Sequence, residues 1–141
     1  MSPSRSLVVL ACLVVPLLSS CRKATSPVAP DGFEGAWAGQ VIDDTWGTGT
    51  ATMATAPLPI GVTGTWSFRF DAAPAHSGSL NGSVTGSSVT LVMSPSTALS
   101  CGVYGSIGVT GTIEGRRLKG TYVRFTCAGL EGGSLDLTRT D

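Results

Sequence analysis

Charge is scarce in this chain of 141 residues: Asp, Glu, Lys and Arg make up 13% of it, and 9 basic residues balance 9 acidic ones. A chain without a net field has nothing to steer a polyanion towards it, so no nucleic acid is expected as a partner. Histidine is nearly absent. Its one copy, His76, stands in the polar stretch APAHSG and is read as an exposed loop residue. A Ser-His-Asp relay needs a histidine held by an acid and placed beside a nucleophile, and no Gly-x-Ser-x-Gly elbow occurs. Zinc takes three or four His, Cys or acidic ligands, a set hard to assemble around a single histidine. No enzymatic activity, metal or cofactor is therefore expected. Long apolar runs are missing too. A membrane-crossing helix needs roughly 20 apolar residues; the run Leu7–Leu18 is shorter and contains Pro16, which a helix interior tolerates badly.

A short start carrying Arg5, followed by that apolar run and small residues, makes a secretory signal peptide. Its end, Leu18-Ser19-Ser20-Cys21, resembles the lipobox of bacterial lipoproteins: a branched apolar residue, two small residues, then cysteine. The resemblance implies a diacylglycerol on the Cys21 sulfur, cleavage before Cys21 and acylation of the new amino terminus. Several acyl chains hold a protein firmly to a bilayer where one does not. Arg22 follows the cysteine in place of aspartate, which by the same resemblance implies sorting to the outer membrane. The division expected is a signal peptide over 1–20, a lipidated tether over 21–32 with Pro27 and Pro30, and a folded domain over 33–141.

Removal of the signal changes the cysteine count. Cys12 leaves and Cys21 becomes a thioether, so Cys101 and Cys127 remain in an exported, oxidising compartment. One structural disulfide between them is expected, and no Cys-x-x-Cys spacing suggests a redox pair. A bridge needs Cα atoms about 4.4 to 6.8 Å apart. An undisturbed ladder would put these two on opposite faces, so Cys101 is expected in the loop-like SPSTALSCG before its strand.

Nineteen glycines, abundant Thr and Ser, and short apolar alternations point to an all-β domain. In IGVTGTWSFRFD, residues Ile60, Val62, Gly64, Trp66, Phe68 and Phe70 share one face; in GAWAGQVID, Gly35, Trp37, Gly39 and Val41 do. The later half repeats. LNGSVTGSSVTL from Leu80 aligns without a gap with VTGTIEGRRLKG from Val109, each reading as strand, two-residue turn, strand. The turns would be Gly86-Ser87 and Gly115-Arg116, in the type II′ geometry that glycine at the first position suits. Apolar residues then face each other: Val84 with Val89, Leu80 with Met93, Ile113 with Leu118, Val109 with Tyr122. Asn81-Gly82 is a competing turn dipeptide. With a strand near Thr50–Thr55 and a last one over Gly133–Arg139, the count is about eight. Eight short antiparallel strands suggest a small up-and-down β-barrel, which has no open edge; a two-sheet β-sandwich is the alternative. Inward glycines such as Gly39, Gly64, Gly82, Gly111 and Gly120 would let the sheet coil.

Gly35-Ala36-Trp37 opens the first strand, and Arg139 sits near the end of the last. This pair resembles the signature of calycins, the lipocalin and avidin superfamily, and implies an arginine that crosses the tryptophan at the barrel base. The candidate ligand-lining or core residues are Trp37, Trp66, Phe68, Phe70, Tyr122 and Arg124. Arg124 falls on an inward face, where it would sit at the rim, pair with an acid or touch a ligand. The adjacent Asp43 and Asp44 are expected to cap a turn. Arg116, Arg117 and Lys119 form a solvated hairpin tip or a contact for an anionic group.

The function expected is that of a membrane-anchored envelope lipoprotein with a non-catalytic binding role, towards a small apolar ligand or an envelope component. Alternatives are an inhibitor of a secreted or periplasmic hydrolase, as among the loosely similar calycin-like metalloprotease inhibitors, and a structural envelope lipoprotein without ligand. A ligand binder needs a cavity on the order of 300 Å³ beside Trp66 and Phe68. An inhibitor needs a protruding segment, before Phe33 or around Ser94–Ser100.

Overall fold

The computed structural model describes residues 32–99, 101–102 and 105–141. The signal peptide, Cys21 and nearly all of the expected tether lie outside the described residues.

Strict alternation sets the strands. In β5 (Ser88–Pro95), Val89, Leu91 and Met93 are buried while the residues between them are exposed. The same period marks β1 (Gly35–Asp43), β2 (Gly47–Pro57), β3 (Val62–Phe70), β6 (Ile107–Glu114) and β7 (Arg117–Thr126), and the parts of β4 (Ala73–Thr85) and β8 (Gly129–Arg139) around Leu80 and Leu135–Leu137. Each strand pairs antiparallel with the next, and β8 pairs back onto β1, closing an eight-strand up-and-down barrel. Closure removes the free edges that a sandwich of this composition would leave exposed.

Both repeated hairpins have the register expected. Val84 pairs with Val89 and Leu80 with Met93; Ile113 pairs with Leu118 and Val109 with Tyr122. Gly86 and Gly115 have φ near +60° (60° and 61°), and among the described residues no other residue type has positive φ, which fits type II′ turns with Ser87 and Arg116 second. Asn81 and Gly82 lie inside β4, opposite Val92 and Leu91. Two boundaries differ from expectation. Ile60 does not belong to the third strand but stands 84% exposed in the β2–β3 turn. Pro59 has no N–H to give a ladder, and Gly61 turns the chain at φ +98°. The last strand begins earlier, at Gly129, because the β7–β8 hairpin continues pairing up to Thr126.

The chain comes in at the base end, where β1 starts and β8 finishes. There Phe33 is buried against Trp37, with ring centroids 5.3 Å apart, and the Trp37 indole N–H donates to the Phe33 carbonyl at 3.1 Å. Arg139 is the register partner of Trp37, and its guanidinium reaches the Gly32 carbonyl and the Asp141 carboxylate. The opposite, loop end carries the long β5–β6 connection. Between the two ends the bore is occupied by Trp66, Phe68, Leu80, Leu91, Val109, Leu118 and their neighbours, all buried.

Inward glycines allow this tight coil. A Cβ on Gly64 would lie 2.0 Å from the Ala54 carbonyl oxygen, and one on Gly39 would lie 2.1 Å from that of Asp136. Gly64→Ala should therefore cost at least about 1 to 3 kcal/mol in urea unfolding, the range for overpacking against an unyielding neighbour. Gly108→Ala, where nothing lies within 4 Å of the added carbon, should leave the midpoint unchanged or slightly raised. Equal effects at the two positions would contradict the close strand approach.

Candidate functional site

At the loop end, β1 closes with an inward-facing acid. Asp43 shares the parity of Trp37, Gly39 and Val41 and is 2% exposed. Its Oδ1 accepts from the backbone N–H groups of Thr45 and Trp46 at 2.9 and 3.0 Å, which turns the chain towards β2. The turn-capping role expected of this acidic pair therefore falls to Asp43. The sequence did not disclose its second role. Oδ2 accepts from the Tyr122 hydroxyl at 2.6 Å and from Arg124 Nε at 3.0 Å, while Arg124 Nη2 reaches Oδ1 at 3.1 Å. Arg124 also pairs with Glu131, its register partner on β8. Of the positions open to Arg124, the structure selects the pair with an acid.

Trp46, which the sequence reading passed over, is fixed by the same carboxylate through its own N–H. Its ring lies over the Arg124 guanidinium carbon at 3.7 Å, a cation–π contact. It also stacks on His76, at 4.7 Å between centroids and 8° between planes, and packs against Phe70 at 5.3 Å. His76 is thus not an exposed loop residue. It lies in β4, half-buried, on the inward parity of Gly78 and Leu80. A bulge is responsible: Phe68 pairs with His76 and Phe70 with Ala73, so β4 spends three residues where β3 spends two. His76 Nε2 is buried without a hydrogen-bond partner among the described residues.

The candidates named from sequence are all buried. Trp66, Phe68, Tyr122 and Arg124 border one recess under Trp46, together with Asp43 and His76; Trp37 belongs to the base, and Phe70 supports Trp46 from the side. The recess measures about 30 Å³. That admits a water molecule and falls far below the roughly 300 Å³ of a ligand pocket. Among the described residues, no cavity of the size an enclosed apolar ligand requires lies beside Trp66 and Phe68; the aromatic side chains fill the space.

Electrostatics support a structural role for the cluster. Burial alone would push the Asp43 carboxyl up, but the bonds from Arg124, Tyr122 and the two backbone N–H groups together hold it at about 2. Burial, with the Asp43 carboxylate beside it, drives the Tyr122 hydroxyl far above its ordinary value. His76 is pushed down from 6.5, by burial first and by Arg124 second, with Asp43 opposing. Both Asp43 oxygens are committed inside the protein. Among the described residues, no three or more His, Cys, Asp or Glu stand together as a metal site.

The rim around the cluster is tied together. Cys101 and Cys127 form a disulfide with Cα atoms 5.9 Å apart. Cys101 sits in the β5–β6 connection and Cys127 in the β7–β8 turn, so both lie outside the ladder that would have separated them. Ser96 donates from its N–H and its hydroxyl to the Ser77 carbonyl, holding the start of that connection along β4 rather than projecting from it. Just outside, Phe125 and Leu130 are register partners, 58% and 63% exposed, with Val123 two residues along the same face. At the base, Arg117 pairs with Asp136, and Arg116 donates to the carbonyls of Arg139 and Asp141, so this basic group is largely engaged within the chain.

Asp43→Asn should lower stability by up to about 3 kcal/mol, because it leaves the buried Arg124 beside a neutral amide with Glu131 as its remaining charge partner. The wild-type protein should be flat in stability between pH 4 and 6 as far as Asp43 is concerned. Its contribution is fully present above the ordinary carboxyl value of 3.8 and fades as the pH falls through 3.8 towards 2. Equilibrium unfolding against pH should show that acid limb flattened in Asp43→Asn; an unchanged limb would remove Asp43 as its source.

No family model matches the chain, and no curated protein matches it. A solved structure described as EF1p2_mFAP2b bound to DFHBI is similar, with a TM-score of 0.65 and 12% identity over 76% of this chain and 93% of that one. At that identity the likeness is one of fold alone.

Proposed function

We propose that this chain is an exported lipoprotein, held to the bacterial envelope, in the outer membrane, through acylated Cys21, and that its barrel is a non-catalytic binding module that works from the rim of its loop end towards another envelope component. The observation that carries this reading is the exposed Phe125–Leu130 pair with Val123 beside it, mounted on a rim made stiff by the disulfide and by the Asp43–Arg124 cluster. Exposed aromatic and aliphatic side chains on a rigid support are what a binding surface uses as anchors, since little ordering entropy remains to oppose association. The filled bore favours a surface partner over an enclosed one.

A second reading has its own observation. The fold neighbour is bound to DFHBI, and here the recess under Trp46 contains the Nε2 of His76, unpartnered among the described residues. A small planar molecule would enter only where Trp46 swings away from His76 and Arg124.

Two measurements check the proposal. Cys21→Ser should move the protein from the membrane fraction to the soluble exported fraction; retention in the membrane would refute the anchor. Phe125→Ser combined with Leu130→Ser should lower recovery of the co-purifying envelope component about tenfold or more in mild detergent, with circular dichroism unchanged. Equal recovery by variant and wild type would refute the rim as the binding surface.

A further inference from the structure

The base end carries a feature that the binding rim does not use. Five consecutive apolar residues, Ala56, Pro57, Leu58, Pro59 and Ile60, are all exposed, Leu58 at 43% and Ile60 at 84%. The segment is a built turn. Leu58 N–H donates to the Gly61 carbonyl at 3.0 Å, Pro57 still pairs with Val62, and Gly61 takes a positive φ that other residues avoid. Two prolines fix their own φ and offer no N–H groups that would need water or a partner. Turning an unbroken apolar run outward forgoes burial that Leu and Ile ordinarily gain, and such runs on stable surfaces mark contacts with an apolar phase.

Its position suggests which phase. The β2–β3 hairpin continues for Ala56 and Pro57 past the first residue of β1, since Gly35 pairs with Thr55. The Thr55 hydroxyl donates to the carbonyls of Phe33 and Gly35, so the chain leading back towards Cys21 leaves the barrel beside this turn. From Cys21 to Gly32 the chain can span at most about 40 Å. A barrel held on so short a tether meets the bilayer at high effective concentration, so a contact too weak to bind alone becomes occupied. Charge does not select the surface. Glu34, Glu114 and Asp141 accompany Arg116 and Arg139 at this end, and the cations are already engaged within the chain.

We propose that the Leu58-Pro59-Ile60 turn is a membrane-contact element. It seats in the interfacial layer of the bilayer that holds Cys21 and points the Asp43–Arg124 end, with its exposed Phe125 and Leu130, away from the membrane. This rests on the lipid-anchor reading and adds an orientation to it.

The test uses the full, acylated protein reconstituted in phosphatidylcholine vesicles, with an environment-sensitive fluorophore on Ile60→Cys or, separately, on Leu130→Cys. The native disulfide in each variant is verified by mass. Flotation of the vesicles reads the anchor, and quenching by lipids spin-labelled near the headgroup reads the orientation. The expected result is flotation of both proteins, with quenching at residue 60 at least about fivefold stronger than at residue 130 and unchanged when anionic lipid is added. Flotation with equal quenching, or with stronger quenching at 130, overturns the orientation and leaves the anchor standing. A probe at 60 shielded only at high protein density assigns the turn to a second copy and overturns the proposal. Failure to float overturns the anchor and the orientation together.

Discussion

The carboxylate of Asp43 is the constraint on which the loop end depends. It ends β1, turns the chain through the N–H groups of Thr45 and Trp46, and holds the hydroxyl of Tyr122 and the guanidinium of Arg124. A buried charge is tolerated only when its desolvation is offset by well-placed donors, and Asp43 has donors on both oxygens. Trp46 is positioned by this carboxylate, and the tryptophan in turn covers Arg124 and His76. Among the described residues, a polar clasp with an aromatic cover thereby lies across the mouth of the barrel.

The two ends differ because the chain gives them different material. The base has short turns, Phe33 and Trp37 as a plug, and the outward apolar turn next to the point where the chain comes in. The loop end has the long β5–β6 connection, the disulfide and the exposed Phe125–Leu130 pair. The bore is filled by aromatic and branched side chains, which is why the proposed recognition is placed on the outside of the loop end, with the proposed anchor at the base.

Much of this was legible in the sequence. Alternation and the internal repeat carry the strand count, both type II′ hairpins and their register, because these depend on neighbours a few residues away. The disulfide was legible from the cysteine count and the loop-like flank of Cys101. The clasp was only half legible. The parity that puts Trp37 and Val41 inside also puts Asp43 inside, and that of Tyr122 does the same for Arg124. What brings the two together is closure of β8 onto β1, which no local pattern records. His76 shares the parity of Leu80, but the polar APAHSG around it looks like a loop, and the bulge opposite Phe68–Phe70 has no sequence marker beyond those small residues. Trp46 was missed because a tryptophan in a turn has no period to betray its contacts.

The central claim is that the barrel is filled and acts from its surface. Native mass spectrometry of the full chain, released from its own membrane in mild detergent, tests this most directly. The account predicts the mass of the acylated protein, alone or with a protein partner, and no further small molecule. A small molecule retained at one per chain, and lost when Trp66 or Phe68 is replaced, would contradict it.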